Sequence, residues 1–507
     1  MNKLGRNDRS LPAEDTSDPP RKREPARSHY AADSLDLNYL SPEEVHAWPA
    51  YTSLPEPTQR GETMRRRLQD IGGWTPEQIA GKRWNIGCVA LEITQRCNLD
   101  CTLCYLSDAS EAVKDVPLQE VFRRIEMIYQ HYGENTDVQV TGGDPTLRNQ
   151  AELVQIVQRI TARGMRASLF TNGIRATRVL LAALCEAGLT DVAFHVDLTQ
   201  QRKGYGSEAE LNVVREHYIE RARGLPLSVF FNTTVFEGNF HEIPALVRFF
   251  RKHADVVRLI SFQLQADTGR GVLRARDAGI TPETVTEQIN RGAGTPLRFD
   301  TFTVGHPRCN RYAMAFEING HLYDFFNDPG FIVPLMNQTV QVPFDRRNRR
   351  SAVHAALKAF SKTPGLWWKG VRWLSRTLWA ARSDLWAAWG RINKLSFVIH
   401  NFMDACRLER ERVHGCVFMV ASPDGPISMC MHNAKRDAYI LQPVRVATAE
   451  GERLWDPLTG VTTAGEVAKV AFPSRAPALH DLPRKLLRGR QRQAILGDSE
   501  PSKPDSV

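Results

Sequence analysis

The sequence predicts an α/β protein: a partial (β/α)6 barrel of the TIM type, followed by a C-terminal extension that carries an auxiliary cysteine site. Three observations lead there. Six short apolar runs recur at Ile86–Thr94, Val138–Thr141, Ala167–Thr171, Val192–Val196, Leu227–Val235 and Val256–Leu264. Between them, apolar residues repeat at helical spacing, as in Leu118, Val121, Ile125 and Ile128, or Ile243, Leu246, Val247 and Phe250. The alternation then stops near residue 293. Strands alternating with helices imply parallel βαβ units, since parallel neighbours need a crossover. Right-handed crossovers wind such units into a barrel with its functional loops after the strand C-termini.

The 507 residues leave room for two or three domains. Residues 1–35, rich in Arg, Asp, Pro and Ser, read as a disordered polar and basic tail. Residues 36–85 form an N-terminal extension, 86–292 the barrel core and 293–470 the C-terminal extension. Within that extension, 293–345 is loop-rich with a hairpin signal, 351–400 is helical and basic, and 401–445 holds the late cysteines. Residues 471–507 read as a second disordered tail. No repeat at solenoid periods is found. No apolar stretch reaches the roughly 18 residues of a membrane span, and the polar N-terminus lacks a secretory pattern. A cytoplasmic protein is expected. The net charge of +9 falls in local patches, and no nucleic-acid motif accompanies it, so no nucleic-acid partner is expected.

Nine cysteines are few for a disulfide scaffold of this length, and their clustering fits metal ligation in a reducing compartment. Cys97, Cys101 and Cys104 follow the first strand in the spacing C-x3-C-x2-C. Three thiolates on one loop suit three irons of a cubane cluster. The absent fourth ligand leaves one iron open to a substrate. A zinc knuckle completed by a nearby fourth ligand is the alternative. Cys88 and Cys185 sit in apolar patterns and read as core residues.

With this spacing at the end of the first barrel strand, the chain resembles the radical S-adenosylmethionine (SAM) superfamily. The resemblance implies that the open iron chelates the amino and carboxylate groups of SAM, whose reductive cleavage releases a 5′-deoxyadenosyl radical. Gly142-Gly143-Asp144-Pro145, after the second strand, resembles the family's glycine-rich SAM segment, where glycines allow close backbone approach to the ligand. Thr171 and Asn172 end the third strand and His195 and Asp197 the fourth. Asn232 lies on the fifth strand and Arg270 follows the sixth. All are candidate contacts to SAM or substrate. One departure stands out: the residue before the third cluster cysteine is usually aromatic in the family, whereas here it is Leu103, with Tyr105 just after the cluster.

A second cysteine group comprises Cys309, Cys406, Cys416 and Cys430. Asp424-Gly425 between apolar runs is a hairpin signal that would bring Cys416 and Cys430 together. Four cysteines suit an auxiliary 4Fe–4S cluster or zinc, with His306, His414 or His432 able to replace one of them. His306-Pro307-Arg308-Cys309, Asn401-Phe402-Met403-Asp404-Ala405, Glu411-Arg412-Val413, Cys416, Cys430 and Asn433 resemble the tetraether lipid synthase branch of the superfamily. That resemblance implies a lipid substrate and carbon–carbon bond formation or a related modification. Radical modification of a peptide or small molecule is a second reading, and an inactive iron–sulfur scaffold a third. A reducing partner such as flavodoxin or ferredoxin is implied.

Residues 366–394 hold six of the ten tryptophans. Trp367, Val371, Leu374, Leu378, Leu385 and Trp389 fall on one helical face, with Lys369, Arg372, Arg376 and Arg391 opposite. Such a helix suits either a membrane interface or a surface helix docked through its apolar stripe. The first reading places the protein peripherally at the inner face of the membrane.

Overall fold

Strand β1 (Cys88–Thr94) is buried along its whole length. The computed structural model describes residues 38–271, 277–340, 354–355, 357–358 and 364–465. The two expected disordered tails lie outside the described residues. The five further expected strands follow in order: β2 (Asp137–Gly142), β3 (Arg166–Thr171), β4 (Asp191–His195), β5 (Ser228–Val235) and β6 (Val257–Leu264). Each pairs in parallel with the one before.

The parallel sheet is wider than the expected six strands. β9 (Asn393–Asn401) pairs in parallel with β6, and β10 (Phe418–Ala421) pairs in parallel with β1. β7 (Asn310–Ile318) and β8 (His321–Asp324) form a hairpin beyond β9, and β11 (Pro426–Ser428) turns back on β10 across Asp424-Gly425. The order is therefore β11-β10-β1-β2-β3-β4-β5-β6-β9-β7-β8, with eight parallel strands inside. Residues after 293 thus supply both flanks of the barrel sheet. β9 lies at the end of the stretch expected to be helical. Leu395, Phe397 and Ile399 are buried at period two, but the Trp-rich helical pattern runs straight into them and hides the change of period.

Alternation divides the sheet into two faces. Val89, Leu91, Ile93, Val138, Val140 and Leu169 join helix residues such as Val121, Ile125, Ile156 and Ile160 in the main core. Burying each such side chain contributes about 1.5–3 kcal/mol. The opposite face is polar: Gln139, Thr141, His195, Thr234, Gln263 and His400 are half-buried there and line a lumen. The sheet curls until its outer parallel strands meet. The rings of His400 on β9 and Phe418 on β10 are 5.0 Å apart, yet the two strands share no ladder. The barrel has a seam.

The helix Pro364–Ala380 docks beside the β7–β8 hairpin. Its docking face differs from the expected stripe. Leu366, Trp373, Thr377 and Ala381 face inward, with Trp373 packed on Phe325 and Phe331. Trp367, Val371, Leu374 and Leu378 are exposed, and Trp368, Trp386 and Trp389 are 82%, 88% and 94% exposed. Arg372 and Arg376 lie on the other flank, both directed at Asp328. No helix among the described residues is long and apolar enough to cross a membrane.

Candidate active site

The loop after β1 carries Cys97, Cys101 and Cys104 at the C-terminal mouth of the lumen, all partly exposed. The loop is held from several sides. Arg96 pairs with Asp115 and donates to the Leu147 carbonyl (2.9 Å). The Thr102 amide donates to the Thr199 carbonyl (2.7 Å). Asn172 Nδ2 donates to Asn98 Oδ1 (2.7 Å) and lies 4.0 Å from Cys97 Sγ. Tyr105, next to the last cysteine, donates its hydroxyl to the Gly142 carbonyl (2.5 Å). Burial raises the Cys97 thiol to about 11 and pushes Cys101 up as well. As free thiols they hold their protons, and a metal would have to displace them.

The expected glycine-rich segment makes its close approach to protein. A Cβ on Gly142 would lie 1.9 Å from the Thr94 carbonyl oxygen, and one on Gly143 would lie 2.0 Å from that of Arg96. The Gly143 and Asp144 amides donate to those same carbonyls. The glycines therefore let the β2 loop lie against the stem of the cysteine loop.

Asp144 is fully buried. Its Oδ2 accepts from Thr171 Oγ1 (2.8 Å) and the Asn172 amide (2.9 Å), and its Oδ1 accepts from the Thr146 amide and hydroxyl. Pro145 opens the short 3-10 turn that Asp144 caps. Asp197 repeats the arrangement after β4: Oδ1 accepts from Thr199, and Oδ2 from His195 Nε2 (2.7 Å) and the Thr234 amide (2.7 Å). Asp144 and Asp197, expected as ligand contacts with Thr171, have every carboxylate oxygen engaged within the protein and brace the strand ends. Burial works against the Asp197 charge, but His195 outweighs it and holds the carboxyl below its usual range. His195 is raised in turn, since Asp197 overcomes the effect of burial. His195 opens to the lumen, with Asn232 beside it on β5 and Ser261 next on β6.

Sequence reasoning missed three groups. Glu92 and Arg436 form a buried pair in which Arg436 Nη1 donates to both carboxylate oxygens (2.8 and 2.7 Å), and the Arg436 guanidinium lies 4.7 Å over the Tyr105 ring. Burial disfavours the Glu92 charge, yet Arg436 and His432 hold its pKa at about 2. An acid within the apolar run Val89–Ile93 was the available signal. Arg148 donates to the carbonyls of Ile93 (2.6 Å) and Val116 (2.8 Å). Arg412, read in the sequence only within Glu411-Arg412-Val413 and without a role of its own, is the third.

Arg412 organises the second cysteine group at the seam. Its Nε lies 3.3 Å from Cys309 Sγ, and it donates to Glu409 and to the Asn401 carbonyl. Cys416 and Cys430 are buried near Cys309: Cys416 bears on the charge of both Cys309 and Cys430, Cys309 bears on Cys430, and Arg412 bears on Cys309 and Cys430. Cys406 is exposed, on the surface side of the loop after β9, and is not part of this group. His414 pairs with Asp70 at the surface, and His432 stacks on Tyr439. Only His306 remains nearby, within the turn that leads to Cys309. Among the described residues no three His, Cys, Asp or Glu side chains converge on a single-ion site. A cubane, whose thiolates bind separate irons, takes a wider triad.

A model of the radical SAM superfamily matches residues 91–250. A 7,8-dihydro-6-hydroxymethylpterin dimethyltransferase of Methanocaldococcus jannaschii is 27% identical over 186 residues, covering 36% of this chain and 36% of the relative. A probable GTP 3′,8-cyclase of Pyrococcus abyssi is 32% identical over 177 residues, covering 34% and 56%. A PqqA peptide cyclase of a Methylobacterium species is 30% identical over 174 residues, covering 32% and 42%. The matches thus span between about a third and just over half of these relatives. Over residues 91–250 this chain is thus similar to the radical SAM superfamily.

Proposed function

We propose that this protein reductively cleaves SAM and uses the resulting radical to take hydrogen from an unreactive C–H bond of a lipid, leading to carbon–carbon bond formation or a related modification. The observation that carries the reading is the placement of Cys97, Cys101 and Cys104 at the mouth of a polar lumen. These thiolates fit three irons of a cubane and leave the fourth open to SAM. When bound, the cluster supplies the electron that splits the SAM sulfonium. The chain itself holds the geometry. Asp144 fastens the ends of β2 and β3, Asn172 steadies the cysteine loop, and Tyr105 ties that loop to Gly142. His195 and Asn232 face the lumen from its far side, where substrate or SAM hydroxyls would lie. Cys309, Cys416 and Cys430 would hold an auxiliary 4Fe–4S cluster at the seam, with the Arg412 guanidinium beside Cys309. A flavodoxin or ferredoxin is the fitting electron donor.

The lipid reading is supported by the exposed side of the Trp-rich helix. Its outer flank carries Trp367, Val371, Leu374 and Leu378, with Trp368, Trp386 and Trp389 nearly bare. Indole rings favour the headgroup level of a bilayer, and six cations against Asp384 alone between residues 364 and 394 favour anionic lipid. A peripheral position at the inner membrane face follows. Modification of a peptide is the second reading, favoured by the match to a PqqA peptide cyclase. The intact cysteine loop and Gly142–Asp144 stand against an inactive scaffold.

The test compares extracted lipids of cells with and without the protein, beside 5′-deoxyadenosine release by the reconstituted enzyme. A lipid change that disappears in the Leu374→Asp, Leu378→Asp double variant supports the reading. Both leucines are exposed, so the change leaves the docked face intact. Unchanged lipids together with robust SAM cleavage would transfer the assignment to a peptide or small molecule.

A further inference from the structure

The segment that follows β6 lies flush against the cysteine loop. The Arg270 amide donates to the Leu106 carbonyl (2.7 Å). A Cβ on Gly269, at φ +54°, would lie 2.4 Å from the Tyr105 backbone, and one on Gly271 would lie 3.2 Å from the Cys104 nitrogen. Gly269 is required for that approach, and a side chain at 271 would be tight. The approach fixes where the Arg270 side chain goes. That side chain is 4% exposed and pairs through Nη1 with Glu111 Oε1 (2.8 Å). Its Nε and Nη2 are buried and have no oxygen or nitrogen partner among the described residues, and the guanidinium lies against the Cys104 thiol. Buried guanidinium donors are rarely left in that state, because their lost hydration is not recovered.

We propose that Arg270 sets the reduction potential of the SAM cluster by directing its buried N–H groups and its charge at the sulfur atoms around Cys104. The inference rests on cluster ligation by Cys97, Cys101 and Cys104. Burial disfavours the Arg270 charge, but Cys104 and then Glu111 outweigh it and hold the guanidinium above its usual range. The same cation bears on Cys97 and Cys101. A cubane with three thiolates is anionic, and reduction adds a further negative charge. A cation in low dielectric therefore stabilises the reduced form more than the oxidised form, and N–H groups donating to sulfur act in the same direction. Arg270 would bring the cluster within reach of its reductant.

The experiment is a redox titration of the reconstituted full chain without SAM, followed by electron paramagnetic resonance, with SAM affinity measured separately. Arg270→Gln should lower the reduced-to-oxidised ratio at a fixed potential about tenfold, a shift of about 59 mV for one electron. Arg270→Lys, which keeps the charge and loses the planar fork, should recover part of it. Glu111→Gln removes the counter-charge and should shift the midpoint the other way. This variant reads the proposal even if Arg270→Gln fails to hold iron, since Glu111 lies at the rim. Wild-type midpoints in Arg270→Gln with full iron, or in Glu111→Gln, overturn the proposal. Weakened SAM affinity with an unmoved midpoint also overturns it and makes Arg270 a SAM ligand. Failure of all variants and the wild type to show a cubane signal would instead remove the cluster assignment itself.

Discussion

Cys97, Cys101 and Cys104 are neighbours in both sequence and space, whereas Cys309, Cys416 and Cys430 become neighbours only through the fold. The first group sits on one loop, whose shape follows from local contacts: Asn172 to Asn98, Thr102 to Thr199, Tyr105 to Gly142. The second draws on the turn before β7, the turn before β10 and the helix after β11. It forms only because an eight-strand sheet curls until β9 faces β10. A buried cation attends each group, Arg270 beside the first and Arg412 beside the second. What differs is the dependence on tertiary structure: the first triad needs a correct β1 loop, the second a nearly closed barrel.

The largest expected effect breaks the first group. Replacing Cys97, Cys101 and Cys104 with Ala should abolish 5′-deoxyadenosine formation while leaving the iron of the second group in place. Wild-type rates in that triple variant would refute the cluster assignment.

The next effect tests the second group. Reconstituted wild type should hold about twice the iron of one cubane, and Cys416→Ala with Cys430→Ala should halve it. Cys406→Ala should change nothing, since that thiol is exposed and apart. Loss of iron in the Cys406 variant would restore it as a fourth ligand.

A smaller effect sharpens the local character of the first site. Asp197→Ala removes a carboxylate that serves His195, Thr199 and the Thr234 amide, and should destabilise the fold by about 3 kcal/mol in denaturant titration. The same pair gives a pH signature. The His195 pKa is raised above 6.5 in the fold, so its contribution is complete below about 6.5 and is lost as pH rises through the folded value. Asp197 is depressed, so its contribution holds above 3.8 and is lost as pH falls toward about 2. Stability should therefore decline as pH rises above about 6.5 in wild type and stay flatter in His195→Asn. Equal slopes would mean that the pair does not form.

Much of this was legible in the chain. Six strands were readable to within two residues at each end, because buried parallel strands are short apolar runs between helical patterns. The cysteine loop was readable from spacing alone. Less legible were the roles of polar residues at the strand ends. Asp144, Thr171 and Asp197 occupy positions from which ligand contacts were expected, but their hydrogen bonds turn inward. A sequence shows that a polar group is present and does not show which way it is satisfied. The Trp-rich helix failed in the same manner: periodicity located an apolar stripe, but the docking face is set by Leu366, Trp373 and Thr377 against the β7–β8 hairpin.

Local chemistry, then, was determined by sequence itself: the strand–helix alternation, the C-x3-C-x2-C loop, the Asp424-Gly425 turn and the basic, Trp-rich segment. Each depends on residues near one another in the chain, whose propensities act over a few positions. Tertiary structure alone decided that β9 and β10 widen the barrel, that Cys309 meets Cys416 and Cys430 while Cys406 is left outside, and that Arg270 and Arg412 reach the cysteines. Those outcomes depend on sheet curvature and on which buried polar group finds a partner, and both are settled only when distant segments pack together.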